Sequence, residues 1–354
     1  MHLSKRRANS FINLPIMVKK CLLICCTAAI FAAFILVGCN TVEADSSVTA
    51  EIAMELSTGS VLEESNADIR MPMASTTKIM TALIVIEEND LNDELIVDDA
   101  AVGVEGSSIY LKYGEKIDVR DLVYGLMMRS GNDSAVALAI YNSGSVEDFV
   151  EKMNSKAREL GALDTNFTNP NGLPDDNHYT TARDLCKIAC YAMKNETFSE
   201  VVSTKNYNGK FRSYTNKNKM LFNYDGANGV KTGYTVKAGR CLVASAKRGD
   251  MDIVSVVLNC PDMYERTADI LDSCFKAYKL IEIDENDVFM SDKVLCKPSK
   301  SIRFVSKTSE NVNFKVSTYK DLKNIRRGDL VAKLEIYGQN GLILSENLYS
   351  IIDR

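Results

Sequence analysis

The sequence predicts an α/β (α+β) fold, with one antiparallel sheet built from both ends of a domain, helices on both faces and an inserted helical region. A small all-β domain follows it. Three observations carry this reading. A strand-turn-strand pattern lies near residues 48–63, and three more strand patterns lie within about 229–259. Between them the apolar residues recur at helical spacing. A hairpin, then helices, then strands places both strand groups in one sheet whose faces the helices must cover.

In chain order, Val48, Ala50, Ile52, Met54 and Leu56 alternate with other residues, the period of a strand. Thr58-Gly59 turns the chain into a second strand at Ser60–Glu63. Helical patterns follow at about 75–88, 119–129, 132–142, 146–160 and 180–194. Gly161 stops the fourth, and Thr180 or Thr181 with Asp184 forms an N-terminal cap on the fifth. Strands are predicted at about 229–235, 240–247 and 251–259, then a helix from about 264 to 279. Beyond Asp284, short alternating segments near 293–297, 301–305, 311–318, 329–337 and 342–350 read as the all-β domain. The expected boundaries are therefore 1–44 for targeting, 45–283 for the main domain and 284–354 for the β-rich one.

The first 44 residues are set aside from fold reasoning. Lys5, Arg6, Arg7, Lys19 and Lys20 precede an apolar run from Cys21 to Val37, at the short limit for a spanning helix. The run ends Leu36-Val37-Gly38-Cys39, the form of a bacterial lipoprotein processing site, which makes Cys39 the candidate lipidated residue. Cleavage after Val42-Glu43-Ala44 and retention as an uncleaved anchor are the alternatives. All three send the remaining chain outside the cytoplasmic membrane. The expectation is an exported protein held to the membrane by its N-terminus, or secreted if the ordinary cut is used.

Composition excludes several function classes. With 46% hydrophobic and 25% charged residues the chain is an ordinary globular protein. A net charge of −5 gives no basic footprint, so no nucleic-acid partner is expected. His2 and His178 are the only histidines, so no His-Glu-x-x-His or multi-histidine zinc site can form. Cys186, Cys190, Cys241, Cys260, Cys274 and Cys296 follow the targeting region without Cys-x-x-Cys or Cys/His spacing. No metal and no cofactor are expected. A chain of this length buries enough core to do without disulfides, and Cys186 and Cys190, i,i+4 on a helix, read as neighbouring buried thiols.

The chemistry lies in three short elements in fixed order. Ser75-Thr76-Thr77-Lys78 opens an apolar helical stretch, and Ser130-Gly131-Asn132 and Lys231-Thr232-Gly233 follow it. A serine hydroxyl needs a base to become a nucleophile. A lysine serves as one only when desolvation or a second cation pushes its pKa below the usual 10.4. The i,i+3 spacing puts Ser75 and Lys78 on one face of a turn, and Lys231 is a candidate second cation. The Ser-x-x-Lys spacing recurs at Ser273 and Ser317, and Ser-x-Asn at Ser309 and Ser345. Only the Ser75 copy starts a helix and precedes both other elements.

These residues resemble the serine D-alanyl-D-alanine carboxypeptidases among the low-molecular-mass penicillin-binding proteins, peptidase family S11. Met73–Ala82 is similar to the nucleophile segment of that family. Gly106-Ser107-Ser108-Ile109-Tyr110-Leu111-Lys112, Ser130-Gly131-Asn132-Asp133-Ser134-Ala135, Asn169-Pro170-Asn171-Gly172-Leu173, His178–Asp184 and Gly229–Thr235 are similar to other segments. The resemblance runs from about 48 to 282 and more faintly to the end. It implies a β-lactamase/transpeptidase-like catalytic domain, peptidoglycan stem peptides as substrate and β-lactams as covalent inhibitors. It implies that Ser75 attacks the penultimate D-alanine carbonyl, that Lys78 is the base, and that Ser130 relays a proton to the departing amine. Asn132 would hold the substrate amide, Lys231 and Thr232 the terminal carboxylate, and the N–H groups of Ser75 and Tyr234 the oxyanion. Gly233 would let the substrate backbone approach the strand.

His178 could in principle belong to a Ser-His-Asp triad, but a structural hydrogen-bonding role is the expectation. Many relatives end in an amphipathic membrane-binding helix, whereas Leu348–Arg354 is too short for one, which fits attachment at the N-terminus. A class A β-lactamase shares the three motifs but needs a glutamate to activate its deacylating water. Here the corresponding stretch reads Asn166-Phe167-Thr168-Asn169-Pro170. A peptidoglycan endopeptidase on the same scaffold and a catalytically silent wall-binding protein remain as alternatives.

Overall fold

The computed structural model describes residues 48–319 and 324–353; the targeting segment, with Cys39, lies outside them. The hairpin forms as β1 (Ala50–Glu55) and β2 (Val61–Ser65). The alternating segment is a strand as expected, and all six residues of β1 are buried. The polar positions are satisfied inside. Arg266 Nε donates to Glu51 at 2.8 Å, and the Thr58 amide donates to the buried Glu55 carboxylate at 2.7 Å.

Where the pattern predicted one helix from 75, a 3-10 turn (Ala74–Thr77) leads into α1 (Lys78–Glu88). The hydroxyls of Thr76 and Thr77 bond back to the carbonyls of Met73 and Ala74, which tightens that first turn. A short hairpin of β3 (Glu94–Ile96) and β4 (Lys116–Asp118) comes next, then α2 (Val119–Tyr124). The helix predicted to reach 129 changes at Gly125 into a π-helical turn (Gly125–Arg129). The following helices lie near their predicted bounds: α3 (Asn132–Ser143), α4 (Val146–Glu159) and α5 (Ala182–Met193). Thr181 caps α5 by accepting the Asp184 amide at 3.1 Å. Next come α6 (Glu196–Ser203), a hairpin of β5 (Asn206–Asn208) and β6 (Ser213–Thr215), and the single turn α7 (Met220–Asn223).

The meander β7 (Ala227–Thr235), β8 (Gly239–Arg248) and β9 (Met251–Leu258) joins the first hairpin in the order β2-β1-β9-β8-β7, antiparallel throughout. The sheet is thus closed from both ends of the domain, and β7 is an edge strand. Alternate residues of β9 face opposite layers. Val254 and Val256 pack with Ile52, Met54 and the helices that follow β2; Ile253 and Val257 pack with Leu242, Ala244 and with Ile270 and Leu271 of α8 (Met263–Ala277). Each fully buried Val, Leu or Ile among them contributes about 1.5–3 kcal/mol.

After α8 the described elements are all strands: β10 (Tyr278–Ile283), β11 (Phe289–Ser291), β12 (Val294–Pro298), β13 (Ile302–Lys307), β14 (Asn313–Thr318), β15 (Leu330–Gly338) and β16 (Gly341–Ser350). β10 pairs with β13, and the others form a sheet in the order β11-β12-β16-β15-β14. This sheet has its own core, with Val294, Phe304, Leu334 and Ile336 inside. Ser273 lies on α8 and Ser317 on β14, apart from the elements that carry Ser130 and Lys231. The six described cysteines are buried free thiols, and burial pushes Cys241 up to about 12. No described helix is long and apolar enough to cross a membrane.

Candidate active site

Ser75 sits in the 3-10 turn and Lys78 is the first residue of α1, so one tight turn brings them together. Lys78 Nζ donates to Asn132 Oδ1 at 2.7 Å and to the carbonyl of Asn171, and it lies 3.1 Å from Ser75 Oγ. Lys78 is 0% exposed, and that burial decides its charge. Desolvation first, then the Lys231 ammonium, hold Lys78 well below the usual lysine range, with Asp133 pulling the other way. A neutral amine 3.1 Å from a hydroxyl can accept its proton.

Ser130 ends the π turn in the left-handed region, at φ 64°, and begins the sharp bend into α3. Its Oγ accepts a hydrogen bond from Lys231 Nζ at 3.1 Å. Lys231 also donates to the Thr232 carbonyl at 2.8 Å and is 2% exposed. Burial, reinforced by Lys217, brings its pKa down to about 7. Ser75 with Lys78 and Ser130 with Lys231 thus form two hydrogen-bonded pairs, and the charge of Lys231 is felt at Lys78.

Asn132 was expected to meet the substrate amide. Here its Oδ1 accepts from Lys78, and its Nδ2 donates to the carbonyl of Glu105. Gly233 was expected to make room for substrate. A Cβ there would lie 3.1 Å from the Ser75 nitrogen, 3.2 Å from Ala74 Cβ and 3.2 Å from the Met73 carbonyl oxygen. Its missing side chain therefore lets β7 press against the turn that carries Ser75. The next residue, Tyr234, is 65% exposed on the edge strand, and Thr232 is half-buried.

His178 is occupied structurally. Its Nδ1 accepts the Thr168 amide at 3.0 Å, so Nε2 carries the hydrogen and donates to Thr77 Oγ1 at 2.7 Å. Burial is the main reason its pKa is pushed down to about 4; Asp175 opposes this and Lys78 adds to it. The ring thus braces the nucleophile turn as a neutral group.

Two contributors were not assigned from sequence. The Asn171 carbonyl holds Lys78, and its loop is fixed because Gly172, at φ 85°, passes so close that a Cβ would lie 1.9 Å from the Ala74 carbonyl oxygen. Asp133, 1% exposed, binds the loop ahead of α2 through the amides of Ile109 and Leu111. Both lie within stretches already singled out, but their roles depend on contacts distant in sequence. Among the described residues no group of His, Cys, Asp and Glu is arranged to hold a metal. The cavity of about 500 Å³ lined by Arg248, Asp272, Phe275 and Tyr278 shares no residue with this site.

The chain is similar to known proteins in sequence and in fold. A sequence model of D-alanyl-D-alanine carboxypeptidases matches residues 39–262. The chain is 34% identical over 305 residues to D-alanyl-D-alanine carboxypeptidase DacF of Bacillus subtilis, covering 82% of this chain and 78% of that protein. It is 40% identical over 239 residues to the D-alanyl-D-alanine carboxypeptidase of Streptomyces sp. K15, covering 61% of this chain and 82% of that one. Penicillin binding protein 5 of Haemophilus influenzae superposes with a TM-score of 0.75 at 27% identity, over 86% of this chain and 96% of that one. The sheet closed from both ends, the two serine–lysine pairs and these matches together have one reading: the chain belongs to the D-alanyl-D-alanine carboxypeptidase family.

Proposed function

We propose that the chain is a serine D-alanyl-D-alanine carboxypeptidase that removes the terminal D-alanine from peptidoglycan stem pentapeptides through an acyl-enzyme on Ser75. The observation that carries this is the Lys78 Nζ to Ser75 Oγ contact of 3.1 Å, made by a lysine whose charge is suppressed by burial and by Lys231. Lys78 takes the Ser75 proton as Oγ attacks the carbonyl of the penultimate D-alanine. The N–H groups of Ser75 and Tyr234 receive the developing oxyanion. Ser130, hydrogen-bonded to Lys231 at 3.1 Å, passes a proton to the departing amine, and water then releases the acyl group. Lys231 and Thr232 take the terminal carboxylate. The substrate carboxylate favours the charged form of Lys231. Asn132 holds the substrate amide, and its Oδ1 also accepts from Lys78 at 2.7 Å. β-Lactams acylate Ser75 because they present a strained amide in the same place.

The chemistry belongs to residues 45–283, and 284–354 form a spacer or docking module. The chain acts outside the cytoplasmic membrane and is held there by lipid on Cys39. In a Cys39→Ala variant, loss of fatty-acid label with release to the medium supports this anchor. Membrane retention of an unlabelled wild type contradicts it. The activity itself is tested by incubating the protein with a pentapeptide ending in D-Ala-D-Ala and weighing the products. Loss of one D-alanine is the expected result, and an unchanged peptide would favour a silent wall-binding protein.

A further inference from the structure

Eight non-glycine residues among those described have a left-handed φ. Asn66, Asn259, Asn324 and Asp292 are of types that tolerate it, and Lys293 lies in the turn between β11 and β12. The other three are Ala74, Ser130 and Tyr110. Ala74 precedes the candidate nucleophile, and Ser130 is the candidate relay. Tyr110 belongs to none of the three catalytic elements. It is the one aromatic residue of the eight, with φ 64° and 81% exposure. A left-handed backbone costs a residue with a Cβ about 1–2 kcal/mol, and this ring buries little in return. Backbone held in such regions concentrates where ligands are met.

Asp133 holds the strain in place. Its carboxylate accepts the amides of Ile109 at 3.0 Å and Leu111 at 3.1 Å, the neighbours of Tyr110 on both sides. It also accepts the Ser108 hydroxyl at 2.5 Å, whose oxygen in turn accepts the Tyr110 amide at 2.8 Å. Amides curled around an anion in this way form a rigid nest. Ile109 and Leu111 are buried while Tyr110 is left outside. The same loop gives the Ser107 carbonyl to the Asn132 amide at 2.7 Å and the Glu105 carbonyl to its side chain. Tyr110 is therefore tied to Lys78 through Asn132 and Asp133.

We propose that Tyr110 is a specificity-determining residue whose ring packs against the part of the stem peptide that precedes the two D-alanines. The proposal rests on the carboxypeptidase reading. In that reading the terminal carboxylate goes to Lys231 and Asn132 holds the substrate amide that precedes the scissile bond. The loop of Tyr110 is bonded to Asn132 through the carbonyls of Glu105 and Ser107. An aromatic ring on a fixed backbone gives a large contact area for little loss of side-chain freedom.

The test compares kcat/KM for acetyl-D-Ala-D-Ala and for a pentapeptide ending in D-Ala-D-Ala. Tyr110→Ala is expected to lose about tenfold on the pentapeptide, or about 1.4 kcal/mol, and less than twofold on the short substrate. Tyr110→Phe should keep the preference. Tyr110→Gly should lose it while gaining thermal stability, because glycine adopts this φ without strain. Equal loss on both substrates, or no loss on either, overturns the assignment. A folded wild type that cleaves neither substrate sinks the carboxypeptidase reading and this proposal with it. Turnover with unselective loss sinks this proposal alone.

Discussion

Lys231→Met should stabilise the protein while destroying its activity. Lys231 is 2% exposed and its pKa falls from 10.5 to about 7, mainly through burial. A lysine held below its unfolded value destabilises the native state at and below the folded pKa. The cost shrinks as pH rises and is gone above the unfolded value. At about 1.4 kcal/mol per pH unit of difference, the cost near pH 7 is roughly 4 kcal/mol. The substitution also loses hydrogen bonds to Ser130 Oγ at 3.1 Å and the Thr232 carbonyl at 2.8 Å, which offsets about 1–2 kcal/mol. A net gain of about 2–3 kcal/mol at pH 7 remains, on the order of 5 °C in Tm for a chain of this size. Thermal unfolding of both proteins between pH 6 and pH 10 is the assay. The gap should be widest at the acid end and close towards pH 10. A variant less stable at every pH, or a gap independent of pH, would refute the burial-driven account of Lys231.

Three further outcomes are expected. Acylation of Ser75 by a β-lactam should slow as pH falls and Lys78 takes up a proton, and kcat/KM should also decline on the alkaline side as Lys231 loses its charge; a flat profile measured by stopped flow would contradict both roles. Lys78→Arg should be nearly inactive, since a guanidinium stays protonated, and near wild-type turnover in a steady-state assay would exclude Lys78 as the base. Gly172→Ala should cost about 3 kcal/mol or more in urea unfolding and reduce acylation, because a Cβ would lie 1.9 Å from the Ala74 carbonyl oxygen at φ 85°; unchanged stability would mean the loop is not seated as described.

The fold was legible where periodicity ran long. The β7 to β9 meander and α3, α4 and α5 lie within about three residues of their expected bounds, because their apolar stretches are long and bounded by turn and cap residues. The β3–β4 and β5–β6 hairpins were not, since three-residue strands carry no measurable period. Continuous helical patterning likewise hid the 3-10 turn before Lys78 and the π turn before Ser130, where local bonding departs from the α ladder. Ser75, Lys78, Ser130 and Lys231 could be picked out because side-chain chemistry at fixed spacing is written in residue types. The contributions of Asn171 and Asp133 could not. One acts through a carbonyl that every residue has, 93 positions from its partner, and the other through a carboxylate whose use depends on a loop 22–25 residues away.

The most direct test of the central claim is the intact mass of wild type and Ser75→Ala after incubation with benzylpenicillin, followed by peptide mapping. The account predicts a single penicilloyl adduct on Ser75 in the wild type and none in the variant, with both proteins equally folded. An adduct of the same mass on Ser75→Ala, or one mapped to any other residue, would contradict it.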